Sequence, residues 1–123
     1  MSEKPVRAIS IRQPYVEAIL RGIKKAEYRS IATRIRERVY IYASLKDGDW
    51  DLYGRRLRAE PGSLPTGAIL GTVEIVDCVW DDELDCFAYV LKDPKRLARP
   101  LRATNQPQPI FWRPVFRKQR RGV

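Results

Sequence analysis

The chain opens with loose alternation. In "VRAISIRQ" (6–13), Val6, Ala8 and Ile11 trade places with Arg7, Ser10 and Arg12, and the spacing predicts a strand. The period then changes. Val16, Ile19, Leu20 and Ile23 fall at i, i+3, i+4 and i+7, the stripe of a short core-facing helix. Pro14 suits the first helical turn and Gly22 the residue just past the end. "KAEYRS" (25–30) predicts a second strand. "RVYIYAS" (38–44) predicts a clearer third, with Val39, Ile41 and Ala43 on one face and Tyr40, Tyr42 and Ser44 on the other.

Residues 45–67 are punctuated by Gly, Pro and Asp and predict a long loop, with a helical turn around Trp50 to Leu57. "AILGTVEIVDCVW" (68–80) is the strongest strand, with Gly71 as a bulge, and "CFAYVL" (86–91) follows it. "KDPKRLARPLRATNQPQP" (92–109) reads as turn-rich and basic. "IFWRPVF" (110–116) reads as a last short strand whose Pro114 puts its end at an edge. Five or six short strands and one principal helix make an α+β, mainly β chain. A partly closed antiparallel barrel with the helix at one end buries such a set economically; an open α+β sheet fits the same pattern.

Charge adds a partner class. The 123 residues suit a single domain, and Lys plus Arg is 24 against 15 Asp plus Glu, giving +9 at neutral pH. Such an excess points to a polyanion, most simply nucleic acid, or to a merely soluble basic protein. Its placement is uneven. Residues 95–123 hold nine bases and no acid, whereas "DCVWDDELD" (77–85) holds five acids and no base.

The absence of histidine removes His general acid/base catalysis, His-activated nucleophiles and His metal ligands. Cys78 and Cys86 match no metal spacing and make no disulfide framework, so both are expected reduced and buried in a cytoplasmic protein. Neither a metal nor a cofactor is expected. No apolar run is long enough to span a membrane, and the first ten residues lack a secretory h-region.

Four blocks in order resemble the ASCH domain family of the PUA-like superfamily. They are Gln13-Pro14 before the helix; Gly22, Lys24, Glu27 and Arg29 in a G-x-K-x-x-E-x-R motif; "YIYAS" with "LPTGAILGTVEIVDC"; and "PQPIFWRP". The resemblance covers about residues 6–116 and leaves 117–123 as a basic, flexible tail. It implies a PUA-like barrel with a cleft at the G-x-K-x-x-E-x-R segment, and binding of RNA or another nucleic acid. Some relatives are hydrolases. One branch, which deacylates modified cytidine, keeps a threonine nucleophile five residues after the glycine. Here that position is Glu27, while Lys24 remains and Glu74 is placed to match the second carboxylate.

The motif residues have two physical uses. Glu27 can hold Lys24 and Arg29 by charge-assisted hydrogen bonds, leaving donors for a phosphate, and can itself accept from a base's exocyclic amine. Alternatively Glu27 and Lys24 exchange protons with a substrate, which suits a cation-rich setting less well. The bland reading is a solvated strand with a surface ion pair worth ~0–1 kcal/mol. Strand alternation puts Lys25, Glu27 and Arg29 on one face, so Lys24 joins the site only if the turn aims it there.

Further candidates surround the motif. Arg12, with Ser10, sits beside the helix N-terminus, where an anion can bind, and Gln13 is expected to cap the helix. Tyr42 and Ser44 can meet a base or ribose, or simply face solvent beside Tyr40; Trp50 can stack on a base. Trp112 reads as core and Trp80 as structural. Arg96, Arg99, Arg102, Arg113, Arg117, Lys118, Arg120 and Arg121 form the phosphate-contact set. The leading expectation is an RNA- or nucleotide-binding domain. Its rival is a small metal-independent hydrolase of modified nucleosides or RNA, an amidohydrolase or a ribonuclease, using Lys24, Glu27 and Glu74 with Tyr42 or Ser44, and a third option is a protein-interaction module.

Overall fold

The computed structural model describes residues 4–117. The elements are β1 (Ala8–Ile11), α1 (Tyr15–Leu20), β2 (Ala26–Arg29), β3 (Arg38–Ala43), α2 (Gly54–Leu57), β4 (Ala68–Asp81), β5 (Cys86–Leu101) and β6 (Phe111–Trp112). The six strands form one mixed, unclosed sheet in the order β2-β5-β4-β3-β1-β6. This is the partly closed, mainly β architecture expected, with one departure. β1 and β3 run parallel, because α1 and β2 carry the chain back before β3 begins; the other neighbours are antiparallel.

The core follows the alternation. Ile9 and Ile11 of β1, Val39 and Ile41 of β3, and Val73 and Ile75 of β4 meet Val16 and Ile19 of α1, with Tyr89 and Leu91 from β5. The opposite face of β1 and β3 is not bare. Tyr40 and Tyr42 are covered by the C-terminal segment, edge-on to Phe116 (5.6 Å) and Trp112 (5.3 Å) respectively. Tyr40 is thereby removed from any ligand, and burial raises its phenol pKa. Trp112 is core as expected.

β5 corrects the reading of 92–109 as turns: its strand runs on to Leu101. Pro94 and Pro100 are tolerated because the ladder with β4 skips there, between the Thr72–Lys95 and Glu74–Lys92 pairs and between Ile69–Leu101 and Gly71–Arg96. Gly71 does sit at such an irregularity. A Cβ there would lie 2.5 Å from both Leu20 Cδ2 and the Lys95 carbonyl oxygen, so the glycine lets the helix approach the hairpin. α2 is the helical turn expected inside 45–67. Cys78 and Cys86 are free thiols but only half-buried, since both stand near the turn of the β4–β5 hairpin. Among the described residues no helix is long and apolar enough to cross a membrane. Of the basic tail, all but Arg117 lies outside the described residues.

Candidate functional site

The end of α1 decides where the motif points. Gly22 adopts φ +75, the Ile23 N–H donates to Ala18 O (2.9 Å), and the Gly22 N–H donates to Ile19 O (3.0 Å). These are the two bonds of a Schellman cap, which needs a left-handed residue after the helix. The Lys24 N–H joins the same Ala18 carbonyl (3.0 Å). The cap folds the chain back, so Lys24 leaves the strand's alternation and turns inward. Lys24 is 8% exposed, while Lys25 faces solvent.

Glu27 is 6% exposed and sits between two cations. Its Oε1 lies 3.6 Å from Lys24 Nζ; its Oε2 accepts from Arg29 Nε (3.0 Å) and Nη2 (2.8 Å). The ammonium of Lys24 also stands over the rings of Tyr28 (4.7 Å) and Tyr15 (5.3 Å). Burial lowers the Lys24 pKa, against the raising effect of Glu27. Arg29 Nη2 reaches on to the Ser10 carbonyl (2.6 Å), tying β2 to β1 across the gap in the sheet.

That gap is a cleft of about 590 Å³. Glu27, Arg29 and Tyr15 form one wall; Arg12, Tyr42, Ser44 and Lys46 line the floor and rim; the loop 106–110 forms the opposite wall. The loop is pinned by one residue. Ser10 Oγ donates to Gln108 O (2.7 Å) and the Ser10 N–H donates to Ile110 O (2.8 Å), with Ile110 at φ +62. Lys24 does not line this cleft; it stands behind Glu27 and Tyr15.

The cleft therefore gathers Arg12, Glu27, Arg29, Tyr42 and Ser44 from among the expected residues, with Lys24 as their buried support. Others fall elsewhere. Glu74 is exposed and borders a different cavity with Lys4, Glu37, Arg38 and Asp93, because its place on β4 points away from Glu27. Trp50 is half-buried on the α2 turn, with its indole N–H on Asp47 (2.9 Å). Arg99, Arg102 and Arg113 are exposed but outside the cleft, and Arg102 donates to Gly67 O (3.2 Å).

Arg96 is committed to structure. It forks onto Glu17 at 3.0 and 2.8 Å, joining α1 to β5. The anion site expected at the start of α1 is also filled from within: Gln13 Oε1 accepts the Glu17 N–H (3.1 Å), and Gln13 Nε2 donates to Pro65 O (3.0 Å). Gln13 is thus the cap expected, and a strut to the loop before β4. Sequence reasoning missed Tyr15, Lys46, Gln106 and Gln108 as cleft residues. For the two glutamines the alternating "QPQP" was the one visible signal, since two prolines in register hold intervening side chains in a fixed wall; nothing in the pattern marked Tyr15 or Lys46.

A model of the ASCH domain matches residues 9–93, most of the chain. The chain belongs to the ASCH domain family. Activating signal cointegrator 1 of Homo sapiens is 33% identical over 111 residues, covering 72% of this chain and 19% of that protein. The Mus musculus protein of the same name is 27% identical over the same shares. The chain thus spans only 19% of the length of these curated relatives. Among solved structures, an ASCH protein from Zymomonas mobilis has a TM-score of 0.58 at 16% identity, over 87% of this chain and 85% of that one. A serine-to-alanine mutant of the Zymomonas mobilis protein gives 0.57 at 17%, over 92% and 90%. At these identities the likeness is one of fold. The family match stops at residue 93, so in this ASCH domain the 106–110 wall of the cleft lies beyond the matched span.

Proposed function

We propose that this ASCH domain binds nucleic acid, RNA first, by taking one nucleotide or unpaired base into the cleft between Glu27–Arg29 and the 106–110 loop. PUA-like folds of this family are associated with RNA binding. The observation that carries the reading is the buried Lys24–Glu27–Arg29 cluster set in the cleft wall. A carboxylate offers about four acceptor positions. Arg29 engages two of them on Oε2 and the Lys24 ammonium stands 3.6 Å from Oε1, which fixes the carboxylate and leaves acceptor capacity for an exocyclic amine of a base. Tyr15 offers aromatic surface for stacking, whereas Tyr42 lines the floor but is only 9% exposed, edge-on to Trp112. Arg12 and Lys46, exposed on the rim and in no ion pair among the described residues, suit the flanking phosphates. Arg99 and Arg113 extend the same charge away from the cleft.

The hydrolytic alternative has one observation in its favour, the lowered pKa of Lys24, which eases proton transfer. It loses its second carboxylate with Glu74, and Lys24 has no direct face on the cleft. Binding of single-stranded RNA measured by anisotropy across salt tests the main reading. Each neutralised phosphate contributes a log–log slope of about −0.7, so Arg12→Ala with Lys46→Ala should flatten the slope by roughly 1.4. Absence of binding at low salt, or a slope unmoved by both substitutions, counts against it. Turnover of acylated nucleosides that disappears in Lys24→Ala would move the conclusion to the hydrolase.

A further inference from the structure

The far end of the β4–β5 hairpin contrasts with the rest of this basic molecule. Residues 77–85 carry five acids and no base in a chain of net charge +9. The same end leaves Val79 44%, Trp80 50% and Leu84 55% exposed. Trp80 was expected to be structural, yet half of it faces water. The ladder pairs Trp80 with Phe87, and their rings meet edge to face at 5.1 Å. Val79 lies on the opposite face, in a row with Ala88 and the 40%-exposed Tyr28. Apolar side chains are thus presented on both faces of the hairpin and at its turn.

These groups are held in place. The Trp80 indole N–H donates to Asp82 Oδ1 (2.8 Å), the Leu84 N–H donates to Asp81 Oδ1 (3.0 Å), and Asp85 takes a left-handed φ of 53. The acids thereby serve as turn formers and as a charged rim around a fixed tryptophan. A rigid aromatic anchor with a polar rim is the anatomy of a protein interface.

We infer that this hairpin end is a docking surface for a partner protein that presents an apolar side chain flanked by Lys or Arg. Charge selects the occupant. A nucleic acid or an anionic lipid surface is repelled by the five carboxylates. A symmetric second copy would set like charges against one another. A basic-apolar segment satisfies both the carboxylates and the exposed rings. The opposite end of the same hairpin carries Lys92, Lys95 and Arg99, so a polyanion and a protein have separate ends to occupy.

The test uses the intact chain, labelled with nitrogen-15, and the indole N–H signals of its three tryptophans, assigned with Trp80→Phe. The probes are a short peptide with leucine flanked by arginines, its glutamate-for-arginine twin, and an oligolysine. The expected result is a saturable shift of the Trp80 indole with the Arg-Leu peptide, and none with single-stranded RNA alone. The glutamate twin should give none. Affinity, read from the anisotropy of the fluorescently labelled Arg-Leu peptide, should fall roughly tenfold, about 1.4 kcal/mol, in Trp80→Ser and in Leu84→Ser, two exposed positions whose loss leaves the core intact. Glu83→Gln with Asp85→Asn should weaken it and reduce its salt dependence. The inference is overturned by no Trp80 shift with the Arg-Leu peptide, by an equal response to oligolysine, or by a Trp80 shift with RNA alone. It is also overturned by a Trp80 shift that follows the protein's own concentration without peptide, which would identify a second copy as the occupant.

Discussion

Replacing Glu27 with glutamine keeps the side chain's shape and removes its charge, leaving Lys24 buried without a counter-ion. At the observed 3.6 Å, an effective dielectric of about 20 gives an attraction of about 4.6 kcal/mol. Not all of it is lost. Glutamine still accepts a hydrogen bond from Arg29, and Lys24 has the option of losing its proton. The expected destabilisation is therefore about 3 kcal/mol, the lower end for a buried pair with one partner removed. In a domain of this size that lowers Tm by roughly 10 °C.

The pH dependence carries a sign. Burial sets the Lys24 pKa in the folded state below the 10.5 of the free side chain, and removing Glu27 removes the group that opposed the drop. The unfolded chain then holds the proton more tightly than the folded one, so the variant's stability rises with pH through the window below 10.5. Urea unfolding of wild type and Glu27→Gln, followed by circular dichroism at about pH 7 and about pH 9, measures both effects. Adding Lys24→Met should recover roughly 2 kcal/mol, because no buried charge is then left alone. A neutral-pH deficit under ~1 kcal/mol, or an equal deficit in the Lys24→Met background, would refute the coupling of the cluster.

Glu17 should govern acid stability. Burial raises its pKa, but hydrogen bonds from Arg96 and Arg21 outweigh that and hold it below 4.5, so its contribution is full above that value and lost as pH falls through the folded pKa. Glu17→Gln should flatten the acid limb of the stability profile and cost about 1–2 kcal/mol at neutral pH, read from urea melts, since the Arg21 and Arg96 left behind are half-exposed to water; an unchanged acid limb contradicts the assignment. Gly71→Ala should destabilise by about 1–3 kcal/mol in thermal melts, since its Cβ would meet a backbone carbonyl at 2.5 Å that cannot rotate away. Ser10→Ala should cost within about 1 kcal/mol of stability yet weaken RNA several-fold in anisotropy titrations, because the 106–110 wall loses its 2.7 Å pin. Unchanged RNA affinity would show that the wall is not part of the site.

Local patterns made much of this legible before any coordinates. The stripe of Val16 and Ile19, the glycine after the helix, the alternation in β3 and the apolar run of β4 each depend on neighbours within a few residues, and each stands where the pattern put it. Glu27 and Arg29 on one strand face were likewise readable. What failed depended on contacts distant in sequence. Tyr40 alternates like an outward residue, and only the return of Phe116 covers it. Pro94 and Pro100 signal turns, but β5 absorbs both at points where β4 leaves the ladder. Glu74 carries the right chemistry on the wrong face. Arg96 looks like a phosphate contact until Glu17, 79 residues away in sequence, takes up its guanidinium. The 106–110 wall belongs to the cleft only because Ser10 holds it there, 98 residues from its partner Gln108.

Ser10 has a consequence for how the domain breathes. Its carbonyl takes Arg29, its amide takes Ile110, and its hydroxyl takes Gln108, so the open side of the sheet is fastened at one residue rather than by a row of backbone rungs. A ladder resists opening cooperatively, whereas a few separate ties yield one at a time. The amides bordering this opening should exchange with solvent well before those buried in the β4–β5 pair. A molecule seated in the cleft touches both lips and acts as the rung the sheet lacks. Occupancy then slows exchange at the lips by the factor 1 + [L]/Kd. Hydrogen exchange there reports any occupant through the motion it suppresses, whatever its chemistry.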